Sequence, residues 1–241
     1  MNLVLDIGNT LQKIAVFNND ECVYCRAFPL ITLDLLSSIF AQYEIGNSII
    51  SSVAEVDILV EDFLKTHSNR IHFSSKTKLP VRILYKSVDT LGLDRIANAV
   101  GAVRLYPKKN ILSIQAGTCL VFDFVNESGD YLGGSISSGM KMRFEALHEK
   151  TKNLPFLTST NNLPDILGID TKTSLFSGVI NGLRFEIEGF IAEYQKKYRN
   201  LVVLITGGDA EFLQKSIKNT IFAVSTIVLI GLNEIIKYNV E

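Results

Sequence analysis

Asp6-Ile-Gly-Asn-Thr10 follows the apolar run Leu3-Val4-Leu5, so a strand delivers a carboxylate, a glycine, an amide and a hydroxyl in quick succession. Glycine at position 8 lets a phosphate approach backbone N–H groups that a side chain would block. Asn9 and Thr10 can donate to phosphate oxygens, and Asp6 can hold a hydrated Mg²⁺ against them. The same residue types also suit a plain polar turn. A second turn of the same kind, Gln115-Ala116-Gly117-Thr118, lies between the apolar strands Asn110–Ile114 and Leu120–Phe124. Two strand–glycine turn–strand units at domain spacing suggest a duplicated architecture with nucleotide phosphates between its halves.

Further constellations carry polar groups next to glycine. Gly92-Leu93-Asp94-Arg95 opens a helical stretch, where Arg95 can clamp a carboxylate bidentately and Asp94 can accept a proton from an attacking hydroxyl. A helix cap with a solvated arginine has the same residue types. The small-residue run Gly133–Gly139 permits close ligand approach or a bare turn. Thr206-Gly207-Gly208-Asp209-Ala210 sits between a buried strand and a helix, where glycines let a nucleotide lie against the backbone. His67, His72 and His148 are scattered, which argues against a catalytic triad or a zinc site. Neither a P-loop nor a Gly-x-Gly-x-x-Gly dinucleotide fingerprint occurs.

The elements that must position these residues are legible from periodicity. Strands are expected over 2–6, 12–17 and 22–28, with Asn18-Asn19-Asp20 turning the second into the third. A helix in which Leu33, Leu36, Phe40 and Tyr43 recur at helical spacing follows, then a strand over Ser48 to Val53. Asp57 to Thr66 is expected as a helix with Leu59, Phe63 and Leu64 on its apolar side, Val81 to Tyr85 as a strand, and Asp94 to Tyr106 as a helix ended by Pro107. The second half repeats the scheme: strands near 110–115, 119–126 and 130–136, a helix over 139–149, and a loop over 150–170. One long helix over 173–197, a strand Leu201–Ile205, and helix, short strand and terminal helix complete it. This pattern fits a two-lobed α/β protein with a boundary near Pro107-Lys108-Lys109.

Composition narrows the function. The chain has 241 residues, 47% hydrophobic and 20% charged, as expected of a globular protein. A net charge of −1, without a basic run, gives no support for nucleic acid as a partner. No signal-peptide pattern is seen, and the apolar stretch Ile221 to Ile236 carries Ser225, Thr226, Asn233 and Glu234, so no membrane partner and a cytoplasmic location are expected. Cys22-Val-Tyr-Cys25 has a metal-site spacing but no second pair, and reads as two reduced strand cysteines.

Taken in order, the segments resemble the type III pantothenate kinases of the actin/sugar-kinase/Hsp70 ATPase superfamily. Asp6-Ile-Gly-Asn-Thr10 resembles the first phosphate motif, Gly92-Leu-Asp-Arg95 with Asn98-Ala-Val100 the pantothenate motif, and Ala116-Gly117-Thr118 with Phe122-Asp123 the second phosphate motif. Tyr131-Leu-Gly-Gly134, Gly139, Thr171, Ser177-Gly178-Val179, Thr206-Gly-Gly-Asp-Ala210 and Gly231-Leu232 continue the likeness. The resemblance implies a duplicated ribonuclease-H-like (actin-like ATPase) fold with mixed five-stranded sheets, in lobes 1–107 and 108–241. It implies ATP-dependent phosphorylation of pantothenate to 4'-phosphopantothenate, the first step towards coenzyme A, with ATP, Mg²⁺ and a monovalent cation (K⁺ or NH₄⁺). Asp94 is then the general base, and Tyr85, Gly92, Leu93, Arg95 and Thr171 contact the substrate. Asp6, Gly8, Asn9, Thr10, Lys13, Gly117, Thr118, Gly207 and Gly208 contact ATP. Asp6, Gln115 and Asp123 are the metal candidates, and a homodimer with a site at the chain interface is expected. Gln115 stands where the family usually has Asp, and Ser138 where it usually has Pro. Glutamine lacks the charge to hold a cation firmly, so either Asp123 takes over or activity is reduced. The alternatives are a weakened homologue that binds ligand in a regulatory role, and a kinase for a related small acid. Phe185 stands where a small residue is common, which would alter helix packing.

Overall fold

Alternation sets the first sheet. Leu3, Leu5 and Ile7 of β1 (Asn2–Ile7) point into one apolar cluster with Leu36 and Leu64, while Val4 and Asp6 take the opposite face. β1 pairs antiparallel with β2 (Gln12–Asn18), which pairs antiparallel with β3 (Glu21–Phe28) across a turn where Asn19 takes φ 53°. Helix α1 (Leu33–Gln42) begins at Thr32, whose hydroxyl accepts from the Leu35 N–H. β4 (Asn47–Ser52) then pairs parallel with β1, α2 (Ile58–His67) follows the Asp57 cap, and β5 (Asn69–Ile71) closes the edge. The two-residue strand β6 (Arg82–Ile83), a short 3₁₀ turn (Val88–Thr90) and α3 (Leu93–Leu105) follow. This computed structural model describes residues 1–52, 55–158 and 162–240.

The second sheet is built from β7 (Asn110–Ala116), β8 (Cys119–Val125) and β9 (Asp130–Ser138), then β10 (Leu201–Thr206) and β11 (Phe222–Ala223). Helices α4 (Met140–Glu149), α5 (Thr171–Phe176) and α6 (Gly182–Lys197) precede β10, and α7 (Ala210–Ser216) links it to β11. The first sheet runs β3-β2-β1-β4-β5 and the second, read from its far end, β9-β8-β7-β10-β11. The two orders are the same, so the duplication expected from the paired glycine turns is a repeat of topology. The second sheet departs from five strands because β6 pairs in parallel with the start of β9, Arg82 with Asp130 and Ile83 with Tyr131.

Contacts divide the chain into two units. One joins Met1–Pro107 with Gly129–Tyr131 and the stretch from Thr226 onward; the other joins Lys108–Ser128 with Leu132–Ser225. Helix α8 (Ile227–Val240) therefore belongs with the first unit, packed on α3. Glycine makes that packing possible. A Cβ on Gly101 would lie 2.1 Å from the Ile227 carbonyl oxygen, and one on Gly231 would lie 1.8 Å from that of Ala97. The second unit's core gathers Leu112, Ile114 and Phe122 with Ile187, Ile191 and Leu213.

Several local expectations need correction. The helix expected over 173–197 is interrupted by a π-helical turn at Ser177–Asn181, where Ser177 donates to the Ile166 carbonyl at 2.7 Å. Leu59 is exposed; Val60 and Leu64, four apart, are the inward pair of α2. Leu36 and Ile39 are the fully buried pair of α1, and Leu33, Phe40 and Tyr43 pack partly buried against the same cluster, as expected. Phe185 is exposed under the Arg184 guanidinium, so its size does not alter helix packing. The strand expected over Val81 to Tyr85 shrinks to two residues, and Val53, expected at the end of a strand, lies outside the described residues.

Candidate functional site

In the first unit the chemistry gathers on the sheet face opposite the β1 core residues. Asp6 lies in register with Lys13 on β2 and with Ser51 on β4. Burial pushes the Asp6 carboxyl up to about 6, the Lys13 ammonium pulls it down, and the negative charge of Asp94 pushes it up again. The fully buried Ser51 hydroxyl finds no hydrogen-bond partner among the described residues. Beyond Asp6 the chain turns sharply, with the Gly8 N–H donating to the Leu11 carbonyl at 3.2 Å. Asn9 and Thr10 sit exposed at the tip of that turn.

Asp94 stands in the first turn of α3, where unpaired backbone N–H groups favour a carboxylate. Gly92 caps that helix, and a Cβ there would meet the Asp94 carboxylate at 2.5 Å, so glycine leaves the carboxylate room to fold back over the helix start. Leu93 opens the helix, and the next residue after Asp94, Arg95, is buried. The Arg95 guanidinium carbon lies 5.9 Å from the centre of the half-buried Tyr85 ring. The structure thus brings together Asp6, Lys13 and Asp94, and separately Tyr85 and Arg95.

In the second unit three backbone segments meet around the other glycine turn. A Cβ on Gly139 would lie 2.0 Å from the Gly117 carbonyl, and one on Gly207, at φ 103°, would lie 2.1 Å from that of Ala116. The Gly139 N–H donates to the Thr118 carbonyl at 3.1 Å, and the Asp209 N–H to the Ala116 carbonyl at 3.1 Å. Gly117 and Gly208 face open space, and Thr118 is exposed. These surfaces present bare backbone to a ligand. Asp209, whose carboxyl is pushed up by burial, borders them and was not singled out by its sequence context. A carboxylate directly after the Gly207-Gly208 pair was the available signal.

Gln115 and Asp123 are joined directly. The Gln115 Nε2 donates to the Asp123 Oδ2 at 3.2 Å, and Asp123 is fully buried. Gln115 thus supplies a neutral donor to a buried carboxylate on the next strand. Thr171 is the exposed first residue of α5, beside a cavity of about 470 Å³ lined by Leu147, Leu154, Ser174, Leu175 and Gly178. It follows an apolar stretch in which Ile166, Leu167 and Ile169 are 69%, 75% and 87% exposed. Cys22 and Cys25 are free thiols on β3.

The profile of the type III pantothenate kinase family matches residues 2–193. A type III pantothenate kinase from Christiangramia forsetii is 40% identical over 247 residues, covering 99% of this chain and 99% of its own length. One from Cytophaga hutchinsonii is 41% identical over 241 residues, covering 100% of each. Among solved structures, the activator of the 2-hydroxyisocaproyl-CoA dehydratase from Clostridium difficile with bound ADPNP superposes with a TM-score of 0.51 at 14% identity, covering 98% of this chain and 93% of that one. At that identity the likeness is one of fold. Together with the repeated strand order it gives the duplicated ribonuclease-H-like architecture of the actin-like ATPases.

Proposed function

This chain belongs to the type III pantothenate kinase family, and we propose on that premise how its residues transfer the γ-phosphoryl group of ATP to the primary hydroxyl of pantothenate. The product is 4'-phosphopantothenate, the first intermediate towards coenzyme A. The observation that carries the assignment is the Asp6 carboxyl, pushed up by burial and by the nearby negative charge of Asp94 against the pull of Lys13.

Asp94 accepts the proton of the attacking hydroxyl, from the first turn of α3, where backbone N–H groups favour a carboxylate. Arg95 takes the pantothenate carboxylate, with Tyr85 flanking the guanidinium, and Gly92 and Leu93 shape the backbone beside it. Asn9 and Thr10, with the bare backbone at Gly8, donate to phosphate oxygens, and Lys13 adds a positive charge beside Asp6. Gly117, Thr118, Gly207 and Gly208 offer the second backbone surface to ATP, with Asp209 at its edge. The lobes 1–107 and 108–241 remain our assignment of the duplicated halves along the chain, each centred on its own sheet, with α8 contributed by the second to the first unit.

Asp6 fits a divalent cation. Mg²⁺ is held by one or two carboxylates plus substrate phosphates and keeps several waters, and among the described residues no cluster of three acidic, His or Cys side chains offers a complete protein cage. Among the described residues the Ser51 hydroxyl beside Asp6 finds no partner, and a coordinated water would provide one. Bound there, the cation supplies positive charge that offsets the phosphate charge during transfer. A monovalent cation, K⁺ or NH₄⁺, fits Gln115 and Asp123 less well, because the Asp123 carboxylate is buried and engaged by the Gln115 amide. No step is assigned to it.

The exposed run Ile166, Leu167 and Ile169 ahead of Thr171 supports a homodimer that covers this surface and brings Thr171 to the neighbouring chain's pocket. No helix among the described residues is long and apolar enough to cross a membrane, and the cytoplasm is our proposed location. The reaction is tested by pantothenate-dependent release of ADP, with the product identified by mass. Asp94→Asn should lower turnover by roughly 10²–10⁴-fold with the fold intact. Turnover near the wild-type value, where chemistry limits the rate, would remove Asp94 from the role of base.

A further inference from the structure

Arg95 is buried, and what holds it in place decides how well it meets a carboxylate. Its guanidinium lies over the Tyr85 ring at 5.9 Å, and the Tyr85 ring in turn meets the Tyr131 ring at 6.1 Å and 61°. Tyr131 is fully buried at the start of β9. The segment that carries Tyr85 is fastened to that same start of β9. Ile83 pairs with Tyr131, the Leu84 N–H donates to the Tyr131 carbonyl at 2.9 Å, and the Arg82 Nε donates to Asp130 at 2.7 Å. Two residues make a poor strand by themselves, so β6 owes its position to Asp130 and Tyr131.

We infer that Tyr131 is a positioning residue for substrate recognition, acting through Tyr85 on Arg95. This rests on the reading of Arg95 as the clamp for the pantothenate carboxylate. Edge-to-face aromatic contacts fix ring orientation, and a ring face beside a desolvated guanidinium fixes the fork that a carboxylate needs. Tyr131 touches no reacting atom in this scheme. Its effect therefore falls on carboxylate binding and spares ATP binding and the chemical step. Asp130 and Arg82 share the same duty one residue away, by holding β6 in register.

The test compares wild type, Tyr131→Leu, Tyr131→Phe and Arg82→Ala in the full-length protein. Pantothenate affinity is measured by calorimetry, kcat and both KM values by ADP release, and each is repeated with the primary amide of pantothenate in place of the acid. Tyr131→Leu should weaken pantothenate binding about 5–10-fold, with the ATP KM and kcat within about twofold of wild type. Tyr131→Phe should stay near wild type because the ring remains. Turnover of the amide, which has no carboxylate to clamp, should be the same in all four proteins. If Tyr131→Leu does not fold, Arg82→Ala serves, since its side chain is exposed, with an expected loss of about 2–3-fold confined to the acid. Equal losses for acid and amide, or a matching rise in the ATP KM, overturn the relay while leaving the enzyme assignment standing. A wild-type chain that neither binds nor phosphorylates pantothenate overturns the assignment itself, and the relay with it.

Discussion

Asp6 should make the ligand-free protein less stable at neutral pH than at mildly acidic pH, and Asp6→Asn should remove that dependence. Burial and the Asp94 charge raise the Asp6 carboxyl from 3.8 to about 6, against the pull of Lys13. Between those two values the folded chain holds a proton that the unfolded chain has released. Stability from this group is therefore fully present below 3.8 and lost as pH rises through about 6. The difference corresponds to about 3 kcal/mol, at 1.36 kcal/mol for each tenfold change in proton affinity. For a chain of this size that is about 6–12 °C in Tm. Thermal unfolding of both proteins without nucleotide or metal, from pH 4.5 to 8, captures about 2 kcal/mol of it, about 4–8 °C in Tm. The wild-type Tm should fall relative to the variant across that range, and the variant should be the more stable protein at pH 8 while having lost activity. Mg²⁺ with ATP should recover much of the wild-type deficit, because a bound cation offsets the ionised carboxylate. Parallel Tm–pH curves for the two proteins would refute the buried, charge-strained environment on which the role of Asp6 rests.

Three further outcomes follow from particular contacts. Arg95→Lys keeps the charge but loses the planar fork, so pantothenate binding should weaken more than ATP binding, and equal losses in titrations would end its role as clamp. Gln115→Asp places a second carboxylate within hydrogen-bonding reach of the buried Asp123. It should cost about 2–4 kcal/mol of stability, raise the ATP KM and lower turnover, whereas a rise in turnover with new K⁺ activation would show Gln115 to be a weakening substitution. Gly101→Ala inserts a methyl group 2.1 Å from the Ile227 carbonyl, and chemical denaturation should report a loss of about 1–3 kcal/mol; an unchanged midpoint would mean that α8 is free to shift.

The phosphate turns were legible because each joins an apolar strand to glycine and hydroxyl residues, and β1, β2, β7 and β8 fell where alternation put them. The repeated order of the two sheets was not, because strand order depends on pairing between distant segments. Gln115 and Asp123 both stood out by type, but their hydrogen bond needs the antiparallel register that sets Ser113 against Asp123 and leaves Gln115 on the diagonal. β6 escaped definition because two residues have no measurable period, and its ends depend on Asp130 and Tyr131 far along the chain. The π turn at Ser177–Asn181 has the same polar and apolar spacing as continuous helix. Its wider backbone turn is accompanied by hydrogen bonds from the Ser177 and Asn181 side chains to the 164–166 carbonyls, a tertiary contact that spacing does not reveal.

The glycine crossing of α3 and α8 has a consequence for how the chain is made. The first unit includes β1 through α3, yet the helix that covers its sheet face and receives Gly101 is synthesised only after the whole second unit. At about 5–20 residues per second, the apolar side of α3 waits on the order of 10 s for its partner. During that interval the ribosome carries an unfinished first unit with Ala97 and Gly101 uncovered, while the core of the second unit is already encoded in the emerged chain. Synthesis of this protein therefore runs against the usual order of folding from the N-terminus, and the interval before α8 emerges is when holding chaperones have most to offer it.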